Sequence, residues 1–156
     1  MPARDGDGWI ECRCGSKHWG KFGAAGLLLV RSGSVLLQHR APWVHNGDTW
    51  GIPGGARDSH ESPLEAALRE SYEEIGIDQS KVSMRFSHLD DHGDWSYETI
   101  VAVIAGDAPV FANNHETLAL DWFAINEVAK ANLHPSFARS WPAISARLGD
   151  VVDVIA

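Results

Sequence analysis

Cysteine is scarce: two residues, Cys12 and Cys14, in a chain of 156. That number cannot build a disulfide framework, which small secreted folds use to compensate for a thin core. Long apolar runs are missing too. The longest, Ala24 to Val30, falls far short of the ~20 residues a membrane-spanning helix needs. The opening residues show no basic segment leading into an apolar one, the pattern of a secretory signal. A cytoplasmic chain with reduced thiols and no membrane partner is therefore expected. Positive charge is also in deficit, with 13 Lys and Arg against 21 Asp and Glu and a net charge of −8. Duplex nucleic acid is held by many Lys and Arg contacts to phosphate, so it is a poor partner for such a surface. A small anionic substrate stays open, provided a divalent cation shields the negative site.

What is present is the composition of one folded domain. The apolar fraction is 44% and the charged fraction 22%, which leaves little room for long disorder. No repeat, low-complexity tract or linker divides the chain, so residues 1–18 are read as a polar N-terminal extension and 19–156 as one domain. Phe22 to Val30 reads as a buried strand, and Arg31-Ser32-Gly33-Ser34 as a turn into a second strand, Val35 to His39. Val82, Met84 and Phe86 alternate with polar residues, as do Tyr97, Thr99, Val101 and Val103, which predicts two more strands. Leu118 to Ala124 predicts another. Asn126 is placed to cap a brief helix, and Phe137 to Leu148 suggests a last helix disturbed at Trp141-Pro142. Strands interspersed with helices give an α/β (α+β) class, a mixed sheet covered by helices.

The most informative stretch runs from Gly54 to Ile77. Ser62 and Glu65 form an S-x-x-E capping box, Pro63 takes the first helical position, and Gly76 stands where a left-handed residue would end the helix. Leu64, Ala67, Leu68, Ser71 and Ile75 share one face. On the other side, at ~100° per residue, Glu70, Glu73 and Glu74 fall within about 100° of arc. Like charges at such spacing repel, and Arg69 is the only basic residue within the helix. This face reads either as a solvated acidic surface or as a site for a hard cation with oxygen ligands. Spacing alone leaves both open.

The same stretch resembles the Nudix box, G-x5-E-x7-R-E-U-x-E-E-x-G-U with U apolar, through Gly55, Glu61, Arg69, Glu70, Glu73, Glu74, Gly76 and Ile77. Ser71 departs from it where an aliphatic residue is usual. Trp19 to Gly26, Leu36 to Ala41, Trp50 to Gly55 and Leu133 to Phe137 look like actinobacterial MutT-type members of that family. The resemblance implies a mixed β-sheet sandwiched between α-helices, with the box as loop–helix–loop. It also implies a hydrolase for a nucleoside diphosphate linked to another group, using Mg²⁺ or, in its place, Mn²⁺ to neutralise the phosphate oxygens and activate water. Glu70, Glu73, Glu74 and the Gly54 carbonyl would be metal ligands, with Glu70 also a general base. Arg69 and Glu61 would support them beside Gly55. Glu116 precedes Trp122 by the interval at which MutT-like proteins place a further carboxylate, so it is a second candidate for ligand or base. Arg40 matches an arginine that touches substrate.

The remaining signals are thinner. Of seven tryptophans, Trp50 is the one named for a nucleobase, because it precedes the phosphate-end loop; the rest read as packing. Cys12, Cys14 and His18 lack the fourth ligand and the C-x2-C spacing of a structural zinc site. A (possibly oxidised) nucleoside triphosphate, 8-oxo-dGTP first, is the expected substrate. Alternatives are ADP-ribose or a dinucleoside polyphosphate, or a domain that binds a nucleotide without cleaving it. No proline stands between Ile77 and Ala108, where ADP-ribose pyrophosphatases carry one, and Tyr97 lies downstream of the tyrosine of dinucleoside polyphosphate hydrolases. No asparagine near Pro135 corresponds to the one that reads the oxidised purine in MutT-like proteins.

Overall fold

A computed structural model describes residues 4–155, with side chains up to 149. Met1 to Ala3 of the expected extension and Ala156 lie outside the described residues. The strands are β1 (Trp9–Glu11), β2 (Lys17–Trp19), β3 (Ala24–Arg31), β4 (Ser34–Arg40), β5 (Trp50–Gly51), β6 (Gly54–Ala56), β7 (Val82–Asp91), β8 (Ser96–Ile104) and β9 (Thr117–Ala124). The helices are α1 (Pro63–Ile75) and α2 (Pro135–Ile155).

β3 is the spine of a mixed sheet. One edge pairs in parallel with β8 from Ala24↔Tyr97 to Val30↔Val103. The other edge is shared: β4 pairs antiparallel at Val30↔Val35, and β6 pairs antiparallel at Ala24↔Ala56 through Gly26↔Gly54. β3 and β4 therefore part company after a tight turn at Ser32 and Gly33, both at positive φ. β9 and β5 continue the sheet along β4, and β7 along β8.

Alternation along β3, β4 and β8 sends successive side chains to opposite layers. Leu27, Leu29, Leu36, Ile100 and Ile104 pack beneath Ala66, Ala67 and Ile75 of α1. Leu28, Val30, Val35, Leu37 and Val101 pack against Phe137, Trp141, Ile144 and Leu148 of α2. Each fully buried aliphatic side chain contributes roughly 1.5–3 kcal/mol, so the sheet is fixed from both faces. This is the sandwich the resemblance implied.

α1 has the limits read from its caps. Ser62 accepts from the Glu65 amide while Glu65 accepts from the Ser62 amide, and Gly76 ends the helix at φ 66°. Ser71 is fully buried, and its Oγ has no hydrogen-bond partner among the described residues.

Two expectations need correction. α2 runs unbroken through Pro142, although a proline inside a helix costs about 3 kcal/mol. Four large side chains on one face of α2, Phe137, Trp141, Ile144 and Leu148, are nearly inaccessible to solvent, and their packing outweighs that cost. Asn126 caps nothing: the short 3-10 turn Ile125–Lys130 starts after Ala124 with no side-chain cap. The polar N-terminal stretch contains the β1–β2 hairpin, with Trp9 opposite Trp19 and their rings edge to face at 5.3 Å. Its strands are three residues each, too short to be legible by periodicity.

Candidate active site

α1 lies across β3 with its acidic face over the gap where β4 and β6 diverge. Glu74 is tied there at both oxygens: Oε2 accepts from the Gly54 amide at 2.9 Å and Oε1 from Gln38 Nε2 at 3.2 Å. Burial pushes this carboxyl up to about 8, the neighbouring Glu70 adds to the rise, and the bonds from Gln38 and Gly54 oppose it. Glu70 is raised for the same first reason, partly offset by Arg69. Glu73 is the more open of the three, with 42% of its side chain exposed. Tyr97, half-buried on the cleft wall, is raised by burial and by both Glu74 and Glu70.

Behind the carboxylates Arg69 makes a fork. Its Nε and Nη2 donate to the two oxygens of Glu61 at 2.6 and 2.8 Å, Nη1 donates to Glu70 Oε1 at 2.9 Å, and Nη2 also reaches the Ala56 carbonyl at 3.1 Å. Glu61 further accepts from the Asp58 amide at 2.9 Å. The box loop is thereby fastened to the helix. Gly55 is required by contact: a Cβ there would lie 2.6 Å from the Glu70 carboxyl carbon.

The acidic face opens onto a cleft of about 820 Å³. Glu70, Glu73 and Glu74 line one side, and Glu116, Arg40 and His134 line others. The structure thus brings together Gly54, Gly55, Glu70, Glu73, Glu74, Glu116 and Arg40 of the residues singled out from sequence. Arg40 makes no ion pair among the described residues; its Nε and Nη2 donate to the His45 carbonyl at 3.2 and 2.8 Å. Three residues stand elsewhere, Glu61 among them, bound to Arg69 behind the carboxylates. Arg69 does not line the cleft; it reaches it through Glu70, Glu73 and the Ala56 carbonyl. Trp50 also fails to line the cleft: its ring stacks on His39 at 4.6 Å and meets Phe123 edge to face at 5.0 Å, against the α2 layer. β5 is paired to β4 with His39 opposite Trp50, and that register turns the indole away.

Sequence reasoning missed several members. Gln38 shares the parity of Leu36 and Arg40 on β4, a polar residue among apolar ones, and that was the available signal. Arg4 approaches the box from the N-terminal segment, 2.9 Å from Asp58 and 3.4 Å from Glu73. His134 accepts from the Ser136 amide at 3.1 Å through Nδ1 and meets Asn46 at 3.3 Å. Burial, with Arg40 nearby, lowers this imidazole to about 4. Arg4 and Asn46 lie on irregular segments where no pattern marks them.

Comparison with known proteins agrees with this geometry. A crystal structure of a Nudix hydrolase from M. smegmatis, RenU, superposes with a TM-score of 0.82 at 40% identity, covering 97% of this chain and 98% of that one. A Mycobacterium tuberculosis protein named "Putative 8-oxo-dGTP diphosphatase 3" is 47% identical over 148 residues, which is 88% of this chain and 68% of that protein. A Bifidobacterium longum "Nucleoside triphosphate pyrophosphatase/Nudix hydrolase fusion protein" is 44% identical over 155 residues, 94% of this chain. The match spans only 32% of that fusion's length. The profile of the NUDIX domain matches residues 20–143, and the chain belongs to the Nudix family, as one of its hydrolases.

Proposed function

We propose that the chain hydrolyses nucleoside triphosphates, 8-oxo-dGTP foremost, to a monophosphate and pyrophosphate with Mg²⁺, or Mn²⁺ in its place. The observation that carries this reading is the convergence of Glu70, Glu73, Glu74 and Glu116 with Arg40 on one cleft. The similarity to a mycobacterial protein named for 8-oxo-dGTP supports the choice of substrate.

The residues fit a hard divalent cation. Every donor is oxygen, and Glu74 is held well above the usual carboxylate range by burial and by Glu70, so a counter-charge is what the pair lacks. Glu70, Glu73, Glu74 and the Gly54 carbonyl would hold it, with Glu116 available across the cleft. When bound, the cation supplies neutralisation of the phosphate oxygens and polarisation of water.

The remaining work belongs to the side chains. Glu70 or Glu116 accepts a proton from the attacking water as its oxygen bonds to phosphorus, and the bridging P–O bond breaks to release monophosphate and pyrophosphate. Arg69 keeps Glu70 in place, and Glu61 keeps Arg69 in place. Arg40 faces the polyphosphate. The asparagine at the Pro135 end of the cleft, Asn46, is already engaged by His134 at 3.3 Å, so selectivity among bases is modest, because strong selectivity needs a buried polar partner left unpaired by the wrong base.

A substrate panel tests the reading: 8-oxo-dGTP, dGTP, ADP-ribose and diadenosine tetraphosphate, each with Mg²⁺ and with products separated. Triphosphates cleaved to monophosphate and pyrophosphate are expected. Inert triphosphates with the highest kcat/KM on ADP-ribose would overturn the substrate while leaving the family intact.

A further inference from the structure

On the hairpin wall of the cleft, away from the Nudix box, we infer that Cys12, Cys14 and His18 form a separate site for a thiophilic divalent cation of the zinc class. The turn between β1 and β2 brings them together. The Cys12 amide donates to the Ser16 carbonyl at 3.1 Å and the Gly15 amide to the Cys12 carbonyl at 3.0 Å. Folding back this way places Cys14 Sγ 3.1 Å from His18 Nε2. All three donor atoms lie within 4.8 Å of one another. A tetrahedral zinc ion, with Zn–S of about 2.3 Å and Zn–N of about 2.0–2.1 Å, needs donors roughly 3.5–3.8 Å apart. Opening the Cys14–His18 pair by about 0.4 Å and closing the wider pairs by up to about 1 Å, in an exposed turn, is enough.

The imidazole is already fixed. His18 stacks on Trp95 at 4.1 Å with the rings 5° from parallel, and His92 meets it edge on at 4.6 Å. Trp95 is itself anchored by donating from Nε1 to the Trp19 carbonyl at 3.2 Å. The two sulfurs are free thiols, one exposed and one half-buried, so the ion has a route in. Cys12 donates to the His92 carbonyl at 3.1 Å. Binding replaces that bond and the Cys14–His18 contact with three metal–ligand bonds, and two thiol protons leave to solvent. Soft sulfur donors separate this site from the box, whose oxygen donors suit Mg²⁺.

The other compact group of possible ligands among the described residues, Asp58, His60 and Glu61, does not compete. Asp58 and Glu61 are already occupied by Arg4, Arg69 and the Gly6 amide. The hairpin site supplies three protein ligands and leaves the fourth position to water, the arrangement of an exchangeable ion rather than a closed structural one. Its effect is to staple two strands of three residues that pair with little else, on a segment whose His18 and Trp19 line the cleft.

The test uses the full chain, reduced and freed of metal with a chelator, then titrated with Co²⁺. A thiolate-to-cobalt charge-transfer band should saturate near one equivalent and be displaced by Zn²⁺. Zinc should also protect both thiols from a thiol reagent. Cys14→Ser should weaken binding about tenfold or more and leave at most about half the band, and His18→Ala should weaken binding about tenfold or more. Glu73→Gln should leave it unchanged, since box carboxylates give no thiolate band. Reduced wild-type protein with two titratable thiols and no band at several equivalents would overturn the proposal, as would a titration unaltered by both Cys14→Ser and His18→Ala.

Discussion

Arg69 grips Glu61 through two parallel bonds, Nε to Oε2 at 2.6 Å and Nη2 to Oε1 at 2.8 Å, while its remaining nitrogen holds Glu70. One guanidinium thus ties the loop before α1 to the carboxylate at the mouth of the cleft. Glu61 is only 8% exposed, and removing one partner of a buried ion pair costs about 3–5 kcal/mol. Glu61→Ala should lower stability in urea by about 3 kcal/mol and reduce kcat with it. Arg69→Lys keeps the charge but loses the fork, so kcat should fall there too, while Mg²⁺-independent folding is retained.

The same pair predicts an acid limb. The Arg69 bonds, with the Asp58 amide, hold Glu61 below its ordinary value. A carboxylate whose folded value is depressed adds stability that is fully present above the unfolded value of about 4.3 and is lost as pH falls through the folded one. Urea midpoints should therefore decline below about pH 4.3 in the wild type. The part of that decline due to Glu61 should be absent from Glu61→Gln.

Glu74 works in the opposite direction. Burial, then Glu70, raise it to about 8, so without a cation it holds its proton at neutral pH. Its contribution to stability is present below the unfolded value and is lost as pH rises toward 8. A cation requires the ionised form, so binding should release about one proton near pH 7. Affinity for Mg²⁺ should climb up to about tenfold per pH unit below pH 8 and level off above it. Calorimetry in buffers of different ionisation heat counts the protons; affinity independent of pH would contradict the assignment.

Glu70→Gln and Glu74→Gln each remove one charge and keep shape. We expect kcat to fall by at least about a hundredfold in each, the scale of losing an acid–base group. Glu116→Gln decides the base: a comparable fall there, with Mg²⁺ affinity preserved, assigns the proton transfer to Glu116. Near-wild-type rates in the Glu70 and Glu74 variants would remove both from the mechanism.

Ser71 is buried on the face of α1 that meets the sheet, with its hydroxyl unpartnered. Ser71→Ala removes that hydroxyl and improves helix propensity, and should stabilise the chain by about 1–2 kcal/mol. For a chain of this length that is a rise in Tm of about 2–8 °C. Activity should not change, because Ser71 faces away from the cleft.

The sequence alone determined α1 and its acidic face. Capping by Ser62 and Glu65, termination at Gly76 and the 3.6-residue spacing of Glu70, Glu73 and Glu74 are local properties, decided within about four residues of each position. The strands at the heart of the sheet were legible for the same reason, β3 as a short apolar run and β8 by side-chain alternation, both properties of a few neighbouring residues. Tertiary structure decided everything that depends on which strands meet. The parting of β4 from β3 brings Gln38 against Glu74, two residues thirty-six apart in the chain. The pairing of β5 with β4 turns Trp50 from the cleft toward Phe123, although its position before the Gly54 loop suggested substrate. Packing against the sheet carries α2 through Pro142 against its local preference. Local hydrogen bonds set where a helix begins and ends, whereas the burial of large side chains against distant strands sets what faces the cleft.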